Sequence, residues 1–199
     1  MSELVSTGIE ATRRRLTEKQ ADTVDRLTTA TVEVLAREGY SGTTVRLIAA
    51  AAGVGTATAY TYFSSKEHLI SEVFWRRLIA SPAMESSDPD PTTRVVTVLR
   101  QVSMLVADEP SLASAVGNAL LGDDPDVGHL RVRIGWEIRG RLAAALGVDR
   151  KDTERVSMLE LLYSGALLQA GMGLLSYPEV AELLEASARR LLAEPGTTD

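Results

Sequence analysis

The chain has no cysteine, two histidines and two tryptophans, and aromatic residues make up only 5% of its 199 positions. Without cysteine there is no disulfide framework, no thiolate zinc site and no cysteine nucleophile, which fits a reducing compartment. The two histidines, His68 and His129, form no His-Glu-x-x-His pattern, and no glycine-rich phosphate loop is present. No catalytic set remains, so neither an enzyme nor a cofactor or metal is expected. A secretory pattern is also missing: Arg13, Arg14 and Arg15 run into LTEKQAD instead of an apolar stretch. The expected location is cytoplasmic.

Apolar runs of membrane-spanning length are scarce as well. Leu161 to Pro178 is 18 residues without a charge, close to the length that crosses a bilayer. Tyr163, Ser164, Gln169 and Ser176 interrupt it and no basic flank orients it, so it reads as a helix buried in protein.

The net charge of −6 is unevenly spread. Residues 1–84 hold ten Lys and Arg against nine Asp and Glu, whereas residues 85–199 hold 11 against 18. A nearly neutral N-terminal part can present a basic face to phosphates, while an acidic body is repelled by DNA.

What the sequence does have is helical periodicity. Val24, Leu27, Thr31, Val34 and Leu35 fall on one stripe, entered through a Thr17-x-x-Gln20 capping box and closed by Gly39, which predicts a helix over 18–38. Thr43 or Thr44 caps a short second helix ending at Gly53. A third covers 56–62, and a Ser64-x-x-Glu67 box opens a fourth ending near Ile79. Residues 81–91, SPAMESSDPDP, stop any helix and mark a boundary. Further helices are predicted over 92–107, 110–121, 126–146, 152–175 and 178–193, the last opened by a Ser176-x-x-Glu179 box with Pro178 in its first turn. The class is all-α, about nine helices. The expected domains are an arm (1–17), a three-helix helix-turn-helix domain with its following helix (18–80), a connecting loop (81–91) and a helical bundle (92–199).

Within 44–62 the spacing suits a helix-turn-helix. Ala49 and Ala59 are small where two helices touch, Gly53 tolerates the turn, and Ile48 and Val54 supply apolar packing. The third helix is then free to enter the major groove. Its non-core positions are Thr56, Ala57, Thr58, Thr61 and Tyr62, with Tyr60 near the end. Thr reads base edges or thymine methyls, and Tyr hydroxyls hold phosphates. Arg46 has the fork to read guanine or clamp a phosphate, and Lys66 stands where an ammonium meets one. Tyr60 reads equally as packing.

Residues 39–69, GYSGTTVRLIAAAAGVGTATAYTYFSSKEHL, resemble the DNA-binding domain of the TetR family of regulators. The GY turn, the TTV start, the IA-x-x-AGV core and the Y-x-YF-x-SKE-x-L ending all occur in order, within a match over about 22–75. The resemblance implies a homodimeric, all-helical repressor whose C-terminal domain binds a small molecule and whose last two helices form the dimer interface. Carried over by position, it implies DNA contacts from Thr44, Arg46, Thr56, Ala57, Thr58, Tyr60, Thr61, Tyr62 and Lys66. This chain departs from the family where Gly55, Thr56 and Ala57 replace the usual Ser, long polar residue and Gly. None of the three reaches far, so base reading falls more to Arg46 and Thr58.

For dimerisation, small residues in the uncharged segment and apolar residues after it point to Gly165, Ala166, Ala170, Gly173, Leu174, Leu184, Ala188 and Leu191, although small residues also suit packing within one protomer. Candidate linings of a sensor pocket are Met104, Asn118, His129, Trp136, Tyr163 and Gln169, polar or large groups in otherwise apolar stretches. His129 reads also as a surface residue and Trp136 as core. The expected partners are operator DNA, a small-molecule effector and a second copy of the chain, with no membrane. The function expected is a repressor released from its operator by that effector. A ligand-responsive activator of the same fold is the alternative, and a helical interaction protein without DNA binding is the rival of another class.

Overall fold

Helix formation starts where expected, at Thr17, whose N–H is accepted by Gln20 Oε1 at 2.8 Å. The computed structural model describes residues 17–82, 88–149 and 154–193, so the basic cluster at 13–15 lies outside the described residues. All regular structure among them is helical: α1 (Glu18–Gly42), α2 (Val45–Ala51), α3 (Thr56–Tyr62), α4 (Lys66–Ala80), α5 (Pro91–Met104), α6 (Pro110–Leu120), α7 (Pro125–Leu146), α8 (Glu154–Gly171) and α9 (Tyr177–Leu192).

The predicted stripe of α1 is buried throughout, and Thr31 satisfies its hydroxyl by donating to Leu27 O at 2.8 Å. Gly39 breaks the helix at φ +66°, after which Tyr40–Gly42 make a further turn. Of the two candidate caps for α2, Thr44 is the one used, accepting Leu47 N–H at 3.2 Å, while the Thr43 hydroxyl donates inward to Gly39 O. The cap of α4 differs from expectation by one residue. Ser65, not Ser64, accepts His68 N–H at 3.0 Å, and Glu67 turns away to accept the Tyr40 hydroxyl at 2.8 Å instead of closing a box.

The chain divides into two compact units, Met1–Ser81 with Glu109–Ile134 and Pro82–Asp108 with Gly135–Asp199. The expected division into 18–80 and 92–199 followed the chain, whereas α6 and the first part of α7 join the N-terminal helices in space. The reason lies in α4. His68 to Trp75 are all buried, so this helix needs cover on every side. α1 packs on it, and so does α6, whose Leu112, Ala113, Ala115, Val116 and Ala119 are buried. Glu72 of α4 is fully buried: burial raises its carboxyl, and Arg76, donating to it at 2.9 Å, works the other way.

In the second unit α5 and α9 pack together, and α8 packs on α9. Asp90 caps α5, with Pro91 as its first residue. Arg94 donates from Nε to Ala145 O at 2.8 Å and from Nη1 to Asp88 O at 2.6 Å, tying the end of α7 to the start of α5. The uncharged segment is not one helix. α8 ends at Gly171, Gly173 takes φ +72°, and α9 starts after the predicted Ser176–Glu179 box, so the helix expected to reach 175 stops four residues short. No helix among the described residues is long and apolar enough to cross a membrane.

Candidate nucleic-acid interface

The turn between α2 and α3 rests on Gly53, at φ +63°, a conformation that side chains disfavour. Arg26 of α1 fixes the turn from outside. Its guanidinium donates to Ala52 O at 2.6 and 3.1 Å and to Gly53 O at 2.8 Å, satisfying carbonyls that α2 leaves open. Sequence reading missed this clamp, because Arg26 sits four residues after Asp22 and looks like half of a solvated pair. Ala49 and Ala59 are fully buried where the two helices meet, within a core of Val24, Leu27, Ile48, Phe63 and Leu69, with Val54 packed beside it. The three residue types predicted for this junction therefore do what their sizes allow.

Ala59 is the only buried residue of α3. Ala57, Thr58, Tyr60 and Thr61 are exposed, Thr56 is half-buried, and Tyr62 is half-buried against the core. Tyr60 is 50% exposed and is not part of the buried core. Thr61 bonds back to Ala57 O at 3.1 Å and Thr44 is engaged as a cap, so both turn their hydroxyls partly to the backbone. Gly55 caps α3 without a side chain, in line with its departure from the family pattern. Arg46 in the first turn of α2 is exposed, next to Leu47.

Lys66 is engaged differently from a free phosphate clamp. Its Nζ donates to Tyr40 O at 2.7 Å and lies 4.2 Å from the centre of the Tyr40 ring. The Tyr40 phenol is pushed up to about 12, first by burial and then by its bond to Glu67. Tyr40, Lys66 and Glu67 thus lock the turn after α1 to the start of α4, and only the cation's remaining donors are available to DNA.

Of the residues expected in a sensor pocket, Met104, Asn118, His129, Trp136 and Gln169 are exposed, with Trp136 at 55%. Asn118 bonds back to Ser114 O at 3.0 Å. Tyr163 is buried and its hydroxyl has no hydrogen-bond partner among the described residues; burial, and then Tyr177, pushes its phenol up. An open groove of about 480 Å³ is lined by Met158, Leu162, Ser187, Arg190 and Leu191, none of them in the expected set. Among the expected dimer residues, Gly165, Gly173, Leu174 and Leu191 are exposed and Ala166 is half-buried. Leu184, Ala188 and Ala170 are buried within the protomer. These last three correct the expectation: α9 turns Val180, Ala181, Leu184 and Ala188 inward and leaves Leu183 and Leu191 outside.

The family model for bacterial regulatory proteins of the tetR family matches residues 27–73. An uncharacterized HTH-type transcriptional regulator of Mycobacterium tuberculosis is 41% identical over 184 residues, covering 90% of this chain and 86% of that protein. The HTH-type transcriptional repressor KstR of Rhodococcus jostii is 26% identical over 175 residues, covering 85% and 82%. A crystal structure of a TetR transcriptional regulator from Rhodococcus sp. RHA1 superposes with a TM-score of 0.72 at 22% identity, covering 89% of this chain and all of that one.

Proposed function

Since the chain belongs to the TetR family of bacterial regulatory proteins and is a transcriptional regulator, we propose that it is a repressor that grips operator DNA as a homodimer and lets go when a small molecule binds its helical body. The observation that carries the DNA reading is α3, a helix with one buried residue and a row of exposed Ala57, Thr58, Tyr60 and Thr61. Such a helix contributes little to the core, and its surface suits base edges and phosphates. Arg46 of the preceding helix α2, exposed, supplies a long, forked donor. The relative named a repressor supports the sign of regulation.

Homodimerisation is supported by α8. Met158, Leu161, Gly165 and Leu168, with Met172 just past its end, are all exposed, at alternating spacings of three and four, and Leu161 is 75% exposed. That is the seam of a helix that packs on another helix. Leu183 and Leu191 of α9 are exposed as well, and Leu191 lines one groove with Met158; contiguous exposed apolar surface of this kind marks interaction sites. The effector reading is supported by Tyr163, whose buried hydroxyl, without a hydrogen-bond partner among the described residues, offers an apolar ligand a polar anchor in the second unit.

Selection of bound duplexes from random DNA, followed by mobility shifts, tests this. Wild-type chain enriches a two-fold symmetric site whose half-sites lie about one helical turn apart. Arg46→Ala weakens binding by about 1–3 kcal/mol and lowers the slope of log affinity against log salt by about one. Failure of the wild type to enrich any sequence, together with salt-independent behaviour, returns the chain to the class of interaction proteins.

A further inference from the structure

The turn between α6 and α7 reaches the junction of α3 and α4, and one carboxylate makes the connection. Asp124 Oδ1 accepts the N–H of Asp126, in the first turn of α7, at 2.8 Å. Oδ2 accepts the hydroxyls of Ser64 at 2.7 Å and Ser65 at 2.6 Å, 60 and 59 residues earlier in the chain. Ser65 Oγ in turn accepts His68 N–H and so caps α4. Two helix N-termini, each with positive backbone character, thereby share one negative charge.

His68 closes the other side of the junction and is 1% exposed. Its Nδ1 accepts Ser64 N–H at 3.3 Å, lies 3.2 Å from Ser64 Oγ, and is 3.7 Å from Asp126 Oδ2. Its ring meets Phe63 edge-on, centroids 5.1 Å apart. Phe63, fully buried, is the residue that ends α3. A single rigid residue therefore separates the serine pair from the recognition helix. All these groups lie in the first unit.

We propose that Asp124 is a positioning residue for DNA binding, holding the α3–α4 junction, and with it the exposed face of α3, at the angle a major groove accepts. The inference rests on the operator-binding reading above. Capping α7 needs only Oδ1, so the second oxygen is spent on a partner far away in sequence. Short O–H bonds to a carboxylate are among the stronger hydrogen bonds a protein makes. Burial alone raises the Asp124 carboxyl, but the bonds from Ser65, Ser64 and Asp126, with His68 nearby, outweigh it and hold the group below its ordinary range. A shift of the α6–α7 turn is carried to α3 through the two serines.

The second unit supplies the control. Asp90 caps α5 with the same chemistry, accepting Thr92 N–H and Thr93 N–H at 3.0 Å and the Thr93 hydroxyl at 2.7 Å, all within its own helix. The full-length wild type, Asp124→Ala, Asp124→Asn, Ser64→Ala and Asp90→Ala are compared on the duplex that the wild type enriches from a random pool, well below every melting midpoint. Asp124→Ala raises Kd roughly tenfold, Asp124→Asn recovers part of the loss, and Asp90→Ala lowers the midpoint but leaves Kd alone. The salt slope stays the same in all of them, because no phosphate contact is removed. A residue that only stabilises the fold moves the midpoint and not Kd. Asp124→Ala binding like the wild type, or Asp90→Ala weakening binding equally, overturns the proposal. If Asp124→Ala does not fold, Ser64→Ala, which keeps the Ser65 cap, decides it: unchanged Kd overturns the proposal and weakened binding supports it. A wild type that enriches no duplex overturns the operator reading, and this inference with it.

Discussion

The two units differ in how much apolar surface they leave outside, the first exposing Leu121 and Val132 and the second a longer set. In the first, α4 is buried along almost its whole length, and polar side chains are spent on clamps: Arg26 on the turn, Lys66 on Tyr40, Asp124 on two serines. In the second, α8 and α9 leave Met158, Leu161, Leu168, Met172, Leu183 and Leu191 outside. A unit held by such clamps is fixed by local geometry, down to single residues such as Gly53. A unit that leaves a seam open is finished only by something packed on it. The difference suits the function proposed above, in which one surface holds its shape on DNA and the other pairs.

The most drastic way to break this comparison is to charge the seam. Leu161→Arg puts an unpaired guanidinium at its most exposed position, and a buried unpaired charge costs several kcal/mol. The dimer is expected to dissociate by sedimentation while circular dichroism stays helical. Operator affinity is lost with the dimer. An unchanged dimer shows that the seam lies elsewhere.

A smaller effect is expected in the first unit from Gly53→Ala. A Cβ there sits at φ +63° and meets Arg26 Nη2 at 3.1 Å, so about 1–2 kcal/mol of stability is lost and the Arg26 clamp is loosened. Denaturant melts measure it, and no change in dimerisation accompanies it. Equal loss of dimer and fold would erase the contrast between the units.

The smallest effect is in pH. The folded pKa of Asp124 is below the ordinary value of 3.8. A depressed carboxylate contributes stability that is fully present above the unfolded value and is lost as pH falls through the folded one. The stability gap between wild type and Asp124→Asn is therefore constant near neutrality and closes below pH 3.8. Acid titration of both proteins by circular dichroism reads this, and a gap that widens with acid contradicts it.

Much of the first unit was legible because its constraints are local. A threonine before an apolar stripe, a glycine at a left-handed turn and two alanines at a helix crossing each announce themselves over a few residues. The Ser64 assignment slipped by one residue because Glu67 has a stronger option in Tyr40, and that partner lies 27 residues away. Asp124 was invisible for the same reason: in GlyAspAspPro it reads as a helix stop, and nothing nearby marks the serines it holds. The placement of α6 beside α1 and α4 follows from how thoroughly α4 is buried, which a weakly patterned helix does not disclose. In the second unit an amphipathic stripe fixes that a helix is buried on one side, but not which of two apolar sides. Leu184, expected at the dimer interface, is therefore buried, while its neighbour Leu183 is left outside.

One property of α3 reaches beyond binding. Because Ala59 is the one fully buried residue of the helix, with Tyr62 packed half-buried beside it, the face carrying Ala57, Thr58 and Thr61 is almost free of folding constraints. Substitutions at Ala57, Thr58 and Thr61 are expected to change stability by no more than about 0.5 kcal/mol. On the DNA-binding function proposed above, a lineage can then rewrite what this helix recognises one codon at a time without passing through unfolded ancestors. The same freedom makes these three positions the natural ones to randomise when a regulator of altered specificity is wanted.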